Sequence, residues 1–184
     1  MAIPTDAHLL AFGRIMHHYA LCETGIKITV SAILNIPVSE AVIVLEPGGA
    51  TDLKNVAKSL AKAKLKPAFA ETFCCIVGDW GGYNSLRNLI AHSAWTDGVR
   101  PGSIKPRRVS IREGRALFTG DEEDEKDYTA PELEKAAREI ALINYRNAKF
   151  LDESGLQRII DKYIDEASAE TSDASGNDTK QSDK

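Results

Sequence analysis

Between Thr5 and Leu34 apolar side chains recur at three- and four-residue steps: Phe12, Ile15, Met16, Tyr19, Cys22, Ile26, Val30 and Ile33. That spacing draws one apolar face along a long helix. Leu10, Leu21 and Ile28 form a second row on roughly the opposite side, which a helix with a single buried face does not need. Other helices of the chain or a second copy of it must cover that row. Pro37 closes the helix, a short apolar segment runs from Glu40 to Leu45, and Pro47-Gly48-Gly49 makes a turn. From Thr51 or Asp52, either of which can cap, the next helix runs to about Lys66, with Leu53, Val56, Ala57, Leu60, Ala61 and Leu65 on its apolar side and Lys54, Lys58, Lys62, Lys64 and Lys66 around it. Those lysines are either a solvated face or a shallow RNA-facing surface.

Pro67 suits a first helical turn, and the apolar row Phe69, Phe73, Ile76, Val77 leads through Gly78, Gly81 and Gly82 into a helix expected to reach Trp95. The pattern then switches to alternation in Val109-Ser110-Ile111-Arg112 and Arg115-Ala116-Leu117-Phe118, which predicts a β-hairpin turning at Glu113-Gly114. Thr129-Ala130-Pro131-Glu132 has the capping-box arrangement and opens a helix to about Leu151, buried through Leu133, Ala136, Ala137, Ile140 and Ile143. A break at Ser154-Gly155 precedes a last helix through Leu156, Ile159, Ile160, Tyr163 and Ile164. The layout predicts a mainly all-α protein: a helical domain over 1–166 with a small β-hairpin insertion at about 100–119, then a disordered acidic tail over 167–184, which lacks large apolar residues.

A length of 184 residues, 43% hydrophobic and 27% charged, suits one soluble domain. No basic leader and no apolar stretch of about 18 residues occurs, so the expectation is a cytoplasmic protein with no membrane contact. Cys22 and the adjacent pair Cys74-Cys75 offer neither a disulfide framework nor a zinc spacing. The net charge of −4 argues against a nucleic-acid partner until its distribution is considered. Arg100, Lys105, Arg107, Arg108, Arg112 and Arg115 face one acid, Glu113, whereas Asp121 to Asp127 holds six acids and Lys126. Arg107, Arg108 and Arg112 on the hairpin are therefore candidate RNA contacts, the alternative being an ordinary charged edge hairpin whose cations deter aggregation.

The densest chemistry lies in Tyr83-Asn84-Ser85-Leu86-Arg87-Asn88-Leu89-Ile90-Ala91-His92-Ser93-Ala94-Trp95. At about 100° per residue Asn88 and His92 stack one above the other with Trp95 following. Arg87, five residues before His92, must curl round the helix or meet the His of a second copy. Glu23 falls within the first helix's apolar stripe, where a carboxylate needs a partner, and Arg87 is the first candidate. No His, Cys, Asp or Glu cluster has metal-ligand spacing.

Arg87-Asn88-x-x-x-His92, continuing through Ile90-Ala91-His92-Ser93 and Trp95, resembles the motif of the HEPN superfamily, small all-helical domains that pair through this helix. The resemblance implies a HEPN-like helical bundle, a homodimer, and Arg87 and His92 in the active site with Asn88 as their polar neighbour. It further implies a metal-independent endoribonuclease without cofactor, a toxin or phage-defence effector met by an antitoxin or regulatory protein. The alternative is a non-catalytic module that binds RNA, a nucleotide or a protein. In such a ribonuclease a His serves as base or acid near neutral pH and an Arg fork matches phosphate oxygens. Glu23 would hold the guanidinium, and Tyr83 and Trp95 could stack on a base.

Overall fold

The computed structural model describes residues 4–45, 48–112, 115–119 and 126–177, with backbone alone for 108–112, 115–119 and 169–177. Among them the order is α1 (Asp6–Leu34), α2 (Val38–Leu45), α3 (Gly49–Lys64), α4 (Pro67–Gly82), α5 (Asn84–His92), β1 (Ala94–Asp97), β2 (Ser103–Arg112), β3 (Arg115–Thr119), β4 (Tyr128–Thr129), α6 (Ala130–Glu153) and α7 (Gln157–Asn177). The architecture is mainly helical with one small antiparallel sheet, as the periodicities require. No single helix among the described residues is long and apolar enough to cross a membrane.

The chain forms two compact units, one of residues 1–24 and 75–146, the other of 25–74 and 147–184. Three helices, α1, α4 and α6, give part of their length to each.

In the first unit, Phe12, Ile15, Tyr19 and Cys22 of α1 pack with Ile76, Val77 and Trp80 of α4 and with Leu133, Ala137, Ile140 and Ile143 of α6, all buried. Tyr19 and Trp80 stack with centroids 5.2 Å apart, and the Cys22 thiol donates to the Ile140 carbonyl at 3.3 Å. Burial pushes that thiol up to about 11, as expected of a cysteine that serves as core. The sheet is built on the ten-residue β2. β1 pairs with it from Ala94↔Arg107 to Asp97↔Ile104, β3 from Arg108↔Thr119 to Arg112↔Arg115, and β4 through Ile104↔Tyr128. The expected turn at Glu113-Gly114 lies outside the described residues. The helix expected to reach Trp95 ends instead at His92, and Trp95 lies on β1. Strand pairing with β2 supplies the backbone partners that a further helical turn would have used.

In the second unit, Ile26, Val30 and Ile33 of α1, Ala41 and Leu45 of α2, Leu53, Ala57 and Ala61 of α3, Phe73 of α4, Phe150 of α6 and Leu156 and Ile160 are buried. Phe73 stacks on Phe150 at 5.2 Å, and the buried Thr29 hydroxyl lies 3.2 Å from Asn147 Oδ1. Helix α1 ends in a left-handed Asn35, φ 56°. The Asn35 N–H returns to Ala32 O and the Ile36 N–H to Ser31 O, so two terminal carbonyls are satisfied before Pro37.

Helix α7 runs to Asn177, beyond the point at Ala167 where a tail is expected. Extending a nucleated helix costs little, and Ala167, Ala169 and Glu170 are good helix formers. Residues 178–184 of the expected tail lie outside the described residues.

Candidate active site

Helix α4 continues through Gly78 and Gly81 and stops at Gly82; Tyr83, whose N–H bonds to the Trp80 carbonyl at 3.1 Å, is the turn before α5. Helix α5 has no buried residue, so Leu86, Leu89 and Ile90 stay half-exposed. On this helix the Arg87 guanidinium donates to Asn88 Oδ1 at 2.8 Å and lies over the Tyr19 ring, 5.6 Å from its centroid. The Tyr19 hydroxyl donates to Asn84 Oδ1 at 3.1 Å. A buried aromatic stack, Tyr19 on Trp80, thus forms the floor on which the cation rests.

Burial, and then the nearby Glu23 carboxylate, push the Tyr19 phenol above the usual tyrosine range, with Arg87 pulling the other way. Glu23 is half-buried. The hydrogen bond of the Arg87 guanidinium goes to Asn88, and the Glu23 and Arg87 charges act on the Tyr19 phenol with opposite sign. His92, at the end of α5, is exposed and makes no hydrogen bond or ion pair among the described residues. Arg87 and Asn88 are therefore brought together, while His92, five residues on, projects about 140° away around the helix at 100° per residue.

Tyr83 donates to Glu139 Oε2 at 2.5 Å. Burial and the glutamate push its phenol up to about 12. It borders a groove of about 490 Å³ with Gly78, Gly82, Leu142 and the Arg146–Asp79 ion pair (2.6 Å). Trp95 packs on Phe12 at 4.7 Å and on Tyr128 at 6.0 Å, so its ring belongs to the first unit's packing. Arg107 sits half-buried on β2 opposite Ala94. Arg108 and Arg112 lie on the same strand, their side chains outside the described residues.

Two features escape a reading of the sequence. Asn84, three residues before Arg87, anchors Tyr19, which periodicity marks only as core. Arg100, counted with the basic run, is neutralised: its Nε lies 2.6 Å from Asp127 Oδ1 and its two terminal nitrogens 2.8 and 2.7 Å from the Glu132 carboxylate. Asp127 also accepts from the Val99 and Arg100 N–H groups at 3.0 and 2.9 Å and from the Ser103 hydroxyl at 2.7 Å. These bonds hold Asp127 well below the usual carboxylate range, and Arg100 with the Thr129 N–H lowers Glu132 to about 2. The capping-box spacing was the only sequence signal for this cluster, and the box forms, with the Thr129 N–H donating to Glu132 Oε2 at 2.8 Å and the Glu132 N–H returning to Thr129 Oγ1 at 3.4 Å.

No family model, curated protein or solved structure matches the chain.

Proposed function

We propose that the chain is a metal-independent endoribonuclease of HEPN type, acting as a homodimer on single-stranded RNA. The observation that carries the reading is the pairing of a fixed cation with an open imidazole. Arg87 is oriented by Asn88 above Tyr19, and His92 ends the same helix free in solvent.

In the reaction, one imidazole takes the proton of the ribose 2′-OH, and the oxygen attacks the adjacent phosphorus. The P–O5′ bond breaks, and the departing oxygen receives a proton from a general acid. The products are a 2′,3′-cyclic phosphate and a 5′-hydroxyl. The guanidinium stabilises the charge gathered on the phosphorane oxygens.

The angular offset between Arg87 and His92 favours a site in which the two come from different copies. The half-exposed Leu86, Leu89 and Ile90 of α5 and the exposed Leu10 and Leu21 of α1 supply an apolar surface for that pairing. Toxin or phage-defence biology, with an antitoxin or regulatory partner in a cytoplasmic setting, is the context in which such an activity fits.

The test is cleavage of single-stranded RNA in the presence of chelator, with 2′-deoxy substitution at the cut site as the control. His92→Ala and Arg87→Ala should each slow cleavage on the order of a hundredfold or more, the scale of general acid–base and charge-stabilising groups. Binding without cleavage would select the non-catalytic module, and full activity in His92→Ala would place the site elsewhere.

A further inference from the structure

Helix α3 departs from the way this chain handles its lysines elsewhere. On α6 and α7 every lysine has a glutamate four residues on: Lys135–Glu139, Lys149–Glu153 and Lys162–Glu166, at 3.9, 3.3 and 3.7 Å. On α3 the residue four after Lys54 is Lys58, and four after that is Lys62. Opposite charges at that spacing support a helix by about 0.2–0.5 kcal/mol per pair, and like charges oppose it by a similar amount. The arrangement on α3 therefore works against the helix that carries it.

Among the described residues no acid offsets the repulsion. Between positions 51 and 66 the single acid is Asp52, in the first turn, against five lysines. None of the five makes an ion pair or side-chain hydrogen bond among the described residues. The helix dipole accounts for Lys62 and Lys64 in the last turn, but not for Lys54 or Lys58. Leu53, Ala57 and Ala61 bury the neighbouring stripe in the second unit, which fixes the rotation of the helix and lays Lys54, Lys58 and Lys62 alongside it. At 1.5 Å per residue the three form a line about 12 Å long. The first two are half-buried and the third is exposed. Asn55, Ser59 and Ala63 on the exposed surface add no negative charge.

A line of cations that no described acid neutralises matches a line of anions. We infer that Lys54, Lys58 and Lys62 form a phosphate-binding ridge for the backbone of single-stranded RNA; the choice of RNA as the polyanion rests on the proposed ribonuclease function. The ridge reads no base, so it raises affinity for long RNA without sequence preference.

The test compares the His92→Ala protein with a version that also carries Lys54→Gln, Lys58→Gln and Lys62→Gln, using a labelled oligouridylate and fluorescence anisotropy over a range of potassium chloride. Each lost phosphate contact on a single strand lowers the slope of log affinity against log salt by about 0.7, so three should lower it by about 2. Replacing the same lysines with arginine should keep the slope. Circular dichroism of each variant establishes that α3 persists. Equal affinity and equal slope in the glutamine variant would overturn the ridge. So would loss of binding to phosphatidylserine vesicles with RNA binding intact, which would make the ridge a membrane face. In parallel, a dinucleotide, which has a single phosphate to offer, should be cut equally well with and without the ridge substitutions. If wild type binds long RNA through the ridge but cuts neither substrate, the ribonuclease reading fails and the ridge stands. If it cuts both with no ridge dependence, the ridge alone fails.

Discussion

The Arg87 guanidinium lies 5.6 Å from the centroid of the Tyr19 ring, whose hydroxyl is tied to Asn84 on the helix that carries Arg87. The ring and the hydroxyl do separable things. Tyr19→Phe keeps the platform and the stack on Trp80 while losing one hydrogen bond, so stability should fall by about 1 kcal/mol with cleavage nearly unchanged. Tyr19→Ala removes the platform and opens a cavity, at a cost of about 3–5 kcal/mol by analogy with Phe→Ala and Trp→Ala. Its residual folded protein should have lost rate. Denaturant titration paired with cleavage assays checks both, and equal activity per folded molecule in the two variants would show that Arg87 needs no aromatic support.

Arg87 and His92 project about 140° apart on α5, so a site shared between copies makes a distinctive prediction. Arg87→Ala and His92→Ala, each inactive alone, should regain activity when mixed and allowed to exchange subunits, because one site of a mixed dimer has both groups. A site within one chain would stay dead in the mixture. Light scattering on the same samples should report dimers at micromolar concentration.

The cluster of Arg100, Asp127 and Glu132 links the β1–β2 loop to the start of α6 within the first unit. Its carboxylates titrate lower in the folded protein than their ordinary values near 4. The stability they contribute is complete above that value and is lost as pH falls through about 4 toward 2, where the folded Glu132 takes up its proton. Melting temperature should therefore drop more steeply for wild type than for Asp127→Asn across that interval. The variant should already be less stable at pH 7, since the Val99 and Arg100 N–H groups and the Ser103 hydroxyl lose their anionic acceptor. Parallel melting curves in acid would remove the cluster from the account of stability.

Gly98 sits inside the same cluster. A Cβ there would collide with Ser103 Oγ and lie 2.9 Å from Asp127, while the Gly98 N–H closes the loop onto the Ser103 carbonyl at 2.9 Å. Gly98→Ala should cost about 1–3 kcal/mol through forced displacement of packed atoms, read by thermal melting. A neutral substitution would mean that the loop relaxes without cost.

What this sequence determines alone is local. The α1 stripe is buried at Phe12, Ile15, Tyr19, Cys22, Ile26, Val30 and Ile33 and half-buried at Met16, because a 3.6-residue period states which side of a helix faces the core. The β2–β3 register and the Thr129–Glu132 cap follow for the same reason, since their partners lie within a few residues of each other. Trp95 was legible as an aromatic near the motif but not as a strand residue. Its place on β1 depends on a pairing with Pro106 of β2, and its packing depends on Phe12, far back in the chain. Arg100 reads as one more free cation in a basic run until the fold brings Asp127 and Glu132 to it across 27 and 32 residues. The composition of a segment reports its charge, and only tertiary structure decides which of those charges are cancelled. By that measure Arg100 is a cancelled charge within the basic run, while Lys54, Lys58 and Lys62 of α3 meet no acid among the described residues.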